Sequence, residues 1–139
     1  FYNKSLYLIS NSTAAEATAS QYLTSFNSNG FTLGTSNYSN TSTVVAWQWR
    51  ASNAAAVTNT NGSITSSVSA NPTAGFSIVT YTGTGSNATV GHGLGVAPSM
   101  YIVKRRSNTG NWYVYHISIG NTNRLRLDET SVSTAESAA

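Results

Sequence analysis

Residues 75–116 constrain the fold of this chain more than any other stretch. Three short runs of apolar and β-branched residues lie in it, at 76–81, 100–103 and 112–115, and Gly, Pro, Asn or Ser residues bound each run. Runs of this length and composition between turn-forming residues are typical of β-strands. The stretch therefore predicts three strands in close succession.

The rest of the chain repeats this pattern. Further short runs at 4–9, 22–26, 31–33, 43–50 and 124–128 predict strands, and Asn29-Gly30 predicts a hairpin turn with positive φ. In the run 43–50, Val45, Trp47 and Trp49 share one face, while Ile64 and Val68 suggest a thin edge strand. Because no long segment has a helical period, we predict an all-β antiparallel sandwich, with a jelly-roll topology first and a barrel second.

Length and composition limit the class of protein. The 139 residues suit one domain, so residues 1–139 are expected to form a single β-sandwich module. Only 8% of residues are charged, against roughly 25% in typical soluble domains, yet eight Tyr, three Trp and four Phe argue for a packed core. There is no cysteine, which excludes disulfides and thiolate metal sites.

Charge and hydropathy argue against two kinds of partner. The net charge of +3 depends largely on Lys104-Arg105-Arg106, which is too narrow for a nucleic-acid surface, so we expect no nucleic-acid partner. No apolar run approaches the roughly 20 residues that cross a bilayer, so we expect no membrane insertion. The first residue is not Met, and the chain is expected to be a processed product or part of a longer protein.

The two ends of the chain resemble each other. Residues 4–16 contain Leu-Tyr-Leu followed by Ser-Thr-Ala-Ala-Glu, and residues 124–136 contain Leu-Arg-Leu followed by Ser-Thr-Ala-Glu. Self-similarity at a fixed spacing is typical of repeat proteins. The chain is therefore interpreted as about one period of a tandem repeat, or as a module whose end supplies a strand to a neighbouring copy.

The glycine-rich loop at 90–98 is the first candidate site. His92 lies between Gly91 and Gly93, and Gly95 and Pro98 follow. A ligand or base role for His92 is one reading of this loop. The favoured reading is structural: the glycines permit a tight crossing between strands, and His92 bonds to the backbone.

Aromatic residues form the second candidate site. Tyr113 and Tyr115 fall on one face of their strand and Trp112 on the other, and Tyr113, Tyr115 and Trp49 are the candidates for an exposed sugar-binding surface. Trp47 and Trp112 are predicted to belong to the core.

Ionisable residues do not form a catalytic or metal-binding pattern. His116 is interpreted as a partly exposed structural residue, with a pairing to Asp128 or Glu129 as the alternative. The Lys104-Arg105-Arg106 triplet is interpreted as a strand end that enters the turn at 107–111, with a salt bridge to the same two acids, within the chain or across subunits, as the alternative. Two His and four acidic residues are widely spread, so we expect no metal site, no cofactor and no catalytic residues.

Several of these motifs together resemble a known module. The motifs are Val45-Ala46-Trp47-Gln48-Trp49, the run at 73–83, the Gly-His-Gly-Leu-Gly loop and the run from 102 through the Trp-Tyr-Val-Tyr-His sequence at 112–116. They resemble a repeated module of uncharacterised function in tail-fibre-like and other structural proteins of marine tailed bacteriophages. In similar sequences Cys often stands at the position of Gln48 and Lys at that of Arg50.

The resemblance implies a concanavalin-like or jelly-roll sandwich. It also implies a location in the virion, outside the cell, and no enzymatic activity. We therefore expect a structural module of a phage fibre or surface appendage, whose partners are other copies of itself or other virion proteins. The alternative is a module that binds carbohydrate on the host surface.

Overall fold

The protein is described by a computed structural model that covers residues 5–36 and 40–135. In these residues the fold is all-β with several antiparallel sheets, which confirms the predicted class and is compatible with a sandwich. Apart from one 3₁₀-helix at Ile117–Ile119, the described elements are strands. They are β1 (Leu6–Tyr7), β2 (Ala17–Thr18), β3 (Leu23–Asn27), β4 (Gly30–Leu33), β5 (Val57–Asn59), β6 (Ser66–Asn71), β7 (Phe76–Thr80), β8 (Met100–Val103), β9 (Tyr113–His116), β10 (Asn123–Arg126) and β11 (Thr134–Ala135).

The chain divides into two compact units. The first comprises residues 46–98, and the second combines the described residues before Ala46 with those from Ser99 onward. The expectation of one sandwich module over 1–139 stays a prediction, as does the tandem repeat. Parts of the two similar ends, including Lys4 and Glu136, lie outside the described residues.

The first unit is built on an antiparallel sheet of β5, β6 and β7. β6 is its central strand, and Val68 in β6 is 3% exposed. The prediction of a thin edge strand at Ile64 and Val68 was therefore wrong. Ile64 lies outside the strand and forms a parallel bridge with Val90. The Ser and Ala residues beside Val68 have low strand propensity, which suggested an edge strand. Their small side chains let neighbouring chain segments pack closely on β6.

The glycine-rich loop packs against this sheet. Ile64 N–H donates to Thr89 O at 3.0 Å, and the buried Ser66 Oγ donates to Gly91 O at 3.3 Å. A Cβ atom on Gly91 would overlap Asn59 Oδ1 and Asn61 O, and one on Gly93 would lie 3.0 Å from a methyl group of Val68. The backbone of the loop thus approaches the sheet too closely for a side chain at Gly91.

The second unit contains three antiparallel sheets among its described residues: β1 with β2, β3 with β4, and a four-stranded sheet in the order β11-β10-β9-β8. β8 to β10 are three of the strands predicted from the apolar runs. Trp112, directly before β9, is half-buried, and its Nε1–H donates to Ile9 O at 3.0 Å and Ser12 O at 3.2 Å. The four-stranded sheet is the element that positions the candidate site.

The β3–β4 hairpin confirms the hairpin prediction, although its turn differs in detail. Asn27 pairs with Gly30, so Ser28 and Asn29 form the turn and Gly30 is the first residue of β4. Gly30 does not have a positive φ, and no described non-glycine residue has one. The predicted left-handed conformation at Asn29-Gly30 was therefore wrong.

The run at 43–50 does not form a strand. Its residues pair with no strand in the described part of the chain, and all of them are exposed. Trp47, predicted to be core, is 75% exposed, and Val45 is 74% exposed. The strand pattern of the sequence is clear, but a strand forms only where a second strand satisfies its backbone groups.

Candidate functional site

One face of the four-stranded sheet carries tyrosines and arginines. Tyr101 pairs with Tyr115 across β8 and β9, and Tyr113 pairs with Arg126 across β9 and β10. Because side chains directly opposite each other in a sheet lie on the same face, these residues share a surface, which Arg124 also joins. We call Tyr101, Tyr113, Tyr115, Arg124 and Arg126 the tyrosine–arginine face.

The rings on this face are ordered by contacts with their neighbours. Tyr101 and Tyr115 stack with their centroids 5.1 Å apart and their planes 17° from parallel. The guanidinium carbons of Arg124 and Arg126 lie 5.2 Å and 5.9 Å from the centroid of Tyr113. Both distances are within the range of cation–π attraction. The face therefore offers a stacked aromatic pair beside two ring-bound cations.

The opposite face of the same sheet is apolar. Met100, Ile102, Val114 and Leu125 lie there, since Ile102 pairs with Val114 and Val114 with Leu125. Val114 is buried at 9% exposure, whereas Met100 is 54% and Ile102 45% exposed. Burial therefore fades toward β8, the edge strand.

Hydrogen bonds of polar side chains connect the residues directly before β9 to the chain after β10. Asp128 Oδ1 accepts the Trp112 backbone N–H at 2.8 Å, and the Asn111 amide donates to Asp128 Oδ2 at 3.0 Å and Glu129 Oε1 at 2.8 Å. Arg126 Nη1 lies 3.0 Å from both carboxylate oxygens of Glu129. The salt bridge with Glu129 therefore fixes the position of the Arg126 guanidinium on the tyrosine–arginine face.

The charges in this cluster stabilise one another. Partial desolvation raises the pKa of Asp128, but hydrogen bonds from the backbone N–H groups of Trp112 and Asp128 and from Asn111 outweigh it, and the net pKa is lowered. The hydrogen bond from Arg126 lowers the pKa of Glu129, and the same bond raises the pKa of Arg126. Both carboxylates are therefore ionised at neutral pH and act as acceptors.

The basic triplet takes a different partner from the one predicted. Arg106 forms a two-point salt bridge with Glu16, with Nε 2.8 Å from Oε2 and Nη2 3.0 Å from Oε1. Lys104 Nζ donates to backbone oxygens of Thr13 and Arg105. Within the chain, Arg106 does not form the alternative salt bridge to Asp128 or Glu129, because the segment before β2 lies beside residues 104–110 and supplies a closer carboxylate.

The structure also contradicts the pairing considered for His116. Its Nδ1 accepts the backbone N–H of Ser118 at 3.2 Å and caps the 3₁₀-helix that follows β9. This local bond closes a turn of two residues, and such bonds compete well with distant partners because little chain entropy is lost.

The other candidates from the sequence lie in the first unit. His92 is half-buried, and its Nδ1 accepts the Leu94 N–H at 3.2 Å, while Gly93 and Gly95 have φ values of 74° and 77°. Pro98, the last residue of the unit, is half-buried. Trp49 is 67% exposed and stacks on Phe76 at 6.2 Å between centroids. The second unit brings Tyr113 and Tyr115 together.

Arg124 and Arg126 were not among the candidates from the sequence, and neither was Tyr101. Tyr101 lies in a predicted strand, but its place beside Tyr115 depends on the register between β8 and β9. The alternation of Met100, Tyr101, Ile102 and Val103 was the available signal, since it separates Tyr101 from the apolar face.

We find neither a deep pocket nor a metal-binding cluster among the described residues. One shallow depression belongs to the second unit and is lined by residues 18–22, 35 and 36, with no carboxylate or imidazole among them. No three His, Asp or Glu side chains in the described ranges are grouped so that they could hold a metal ion. No helix among the same residues is long and apolar enough to cross a membrane.

The fold and the face define an all-β protein whose most prominent described features are exposed aromatic and aliphatic surfaces. A domain family of unknown function, DUF7483, matches residues 3–139, and the chain belongs to this family. Searches of curated proteins and of solved structures give no match.

Proposed function

We propose that this chain is a structural module that acts by self-association, as part of a virion fibre or surface appendage outside the cell. The observation that carries the proposal is the exposure of large apolar side chains at two places, 43–50 and Met100–Val103. Single exposed apolar residues are normal on a protein surface, whereas contiguous groups mark interaction sites.

The sparse charge supports the same function. With 8% charged residues, few ions need to lose their water when two copies come together. The described salt bridges Arg106–Glu16 and Arg126–Glu129 are formed within the chain, so these charges are already compensated. Close contact between copies is therefore inexpensive in electrostatic free energy.

A finer description of the fold belongs to this proposal. We propose that the strands belong to a jelly-roll or concanavalin-like sandwich. The support is that the described sheets are antiparallel, their strands are short, and the four-stranded sheet has one apolar and one polar face.

Sedimentation equilibrium over a wide concentration range tests self-association. We expect a mass that rises above 14.6 kDa as the concentration increases, together with regular assemblies in electron micrographs. A chain that stays at 14.6 kDa up to millimolar concentration would rule the function out, since an appendage needs stable contacts between its copies.

A second candidate function is recognition of carbohydrate on a host surface. The stacked Tyr101–Tyr115 pair beside Arg124 and Arg126 favours it, because flat aromatic faces with nearby hydrogen-bond donors suit sugar rings. The cations would suit acidic sugars best.

Titration with neutral and uronic-acid oligosaccharides, followed by NMR, tests this candidate. Tyr101→Ala is expected to weaken binding about tenfold, in line with ~1 kcal/mol for one aromatic contact. Tyr81→Ala removes an equally exposed tyrosine from the first unit and serves as the control. Equal binding by the two variants would contradict a site on the tyrosine–arginine face.

A further inference from the structure

Along the outer edge of β8, the backbone groups form no hydrogen bonds with a described strand. Ile117 N–H donates to Ser99 O at 2.8 Å, which makes residues 99 and 117 a hydrogen-bonded pair in the β8–β9 register. Pairs alternate along an antiparallel ladder, so Tyr101 and Val103 direct their backbone groups toward β9. Met100 and Ile102 direct theirs away from the sheet, and no described strand lies on that side.

Nothing in β8 protects this edge. Proteins usually guard an open edge with a charge, a proline or a bulge within the strand. Met100–Val103 has none of these, and all four residues are exposed. Beyond β8, backbone bonds from Glu16 N–H to Arg106 O and from Gly110 N–H to Thr13 O connect the next residues to the segment before β2. The open edge is therefore limited to β8, which we call the acceptor edge.

A matching strand-forming segment exists in the same chain. Residues 43–48 have the alternation of a strand, are exposed throughout and pair with no described strand. The residues that follow are attached to the first unit, because Trp49 stacks on Phe76 and Arg50 O accepts the Asn71 amide at 3.4 Å. We call residues 43–48 the donor arm.

We propose that the donor arm of one copy adds antiparallel to the acceptor edge of a second copy. This inference rests on the proposed self-association and names its contact. The pairing would give the backbone groups of Met100 and Ile102 partners and cover the side chains that both segments expose. Charge favours the antiparallel direction, because a parallel arm would bring Arg50 toward Lys104.

The anchoring of Trp49 selects a register. In this register Val45 lies opposite Ile102 and Trp47 opposite Met100. The pairing then ends at Gln48, so Trp49 keeps its contact with Phe76. Val45 and Trp47 then extend the apolar face that Val114 and Leu125 form. Ala46 lies opposite Tyr101 in a pair without backbone hydrogen bonds, where Cα atoms are about 4.5 Å apart.

Cysteine cross-linking tests this pairing cleanly, because the chain has no cysteine of its own. Ala46→Cys and a size-tagged Tyr101→Cys are mixed and oxidised, since the predicted spacing suits a disulfide. We expect the mixed disulfide dimer to form at least tenfold faster than when Thr58→Cys replaces Ala46→Cys. Thr58 is the matched control, because it is exposed on β5, an edge strand of the sheet in the first unit, and lies outside the donor arm.

The outcomes separate the pairing from self-association itself. No preferential Ala46–Tyr101 link in a chain that sediments as an oligomer would overturn the pairing and leave the proposed function standing. A faster link from Gln48→Cys would overturn the register. A disulfide within the monomeric double variant at high dilution would overturn addition between copies, and a wild-type chain that never associates would overturn both proposals.

Discussion

Replacing Trp47 with lysine is expected to weaken association of the chain strongly and to leave its fold intact. Trp47 is 75% exposed in a segment that pairs with no described strand, so its replacement should change the stability of the isolated copy little. In the proposed contact the indole lies opposite Met100 on the apolar face, and the lysine would place a charge without a partner there. Aromatic residues buried in interfaces typically contribute ~2 kcal/mol or more to binding. The dissociation constant of the dimer contact should therefore rise about 30-fold or more.

Sedimentation equilibrium of Trp47→Lys measures this effect, and circular dichroism checks the fold. Val132→Lys is the matched control, because Val132 is 84% exposed and lies outside both the donor arm and the acceptor edge. We expect the control to associate like the wild type. If the two lysine variants associate equally well, the donor arm does not carry the contact.

Replacing Gly91 with alanine is expected to destabilise the chain strongly. The added methyl group would overlap Asn59 Oδ1 and Asn61 O, and Gly91 is buried where its carbonyl oxygen accepts the Ser66 hydroxyl. Overlap in a packed interior costs about 1–3 kcal/mol. A loss near ~2 kcal/mol corresponds to a fall in Tm of about 5–10 °C for a domain of this size.

Thermal unfolding followed by circular dichroism measures this change. Gly83→Ala is the control, since a Cβ at Gly83 has no atom within 4 Å and the backbone there has no positive φ. That variant should be as stable as the wild type or slightly more so, because alanine restricts the unfolded chain. Unchanged Tm values in both variants would show that the loop is not held against β6 as described.

Local patterns in the sequence were sufficient to place most strands. The run Met100–Val103 is found as a strand with its predicted bounds, and the runs before and after it differ by a residue or two. Alternation also placed Tyr113 and Tyr115 together and on the side away from Val114. Such features depend on neighbouring residues alone, so the sequence displays them directly.

Contacts between residues that are far apart in the sequence could not be predicted from local patterns. Glu16 and Arg106 are ninety positions apart, and the bond between them exists because the segment before β2 lies beside the turn that follows β8. The cations over Tyr113 likewise depend on the register that places Arg126 opposite that ring. A shift of one residue in that register would have moved both arginines to the other face.

The segment at 43–50 separates the two kinds of information most clearly. By itself the sequence determined that these residues are able to form a strand, since β-branched and aromatic side chains suit an extended backbone. The tertiary structure decided that no described strand of the same chain pairs with them. The reason is physical: strand propensity is a property of single residues, whereas strand formation needs a second backbone to satisfy the N–H and C=O groups, and the folded chain alone sets which backbone is in reach.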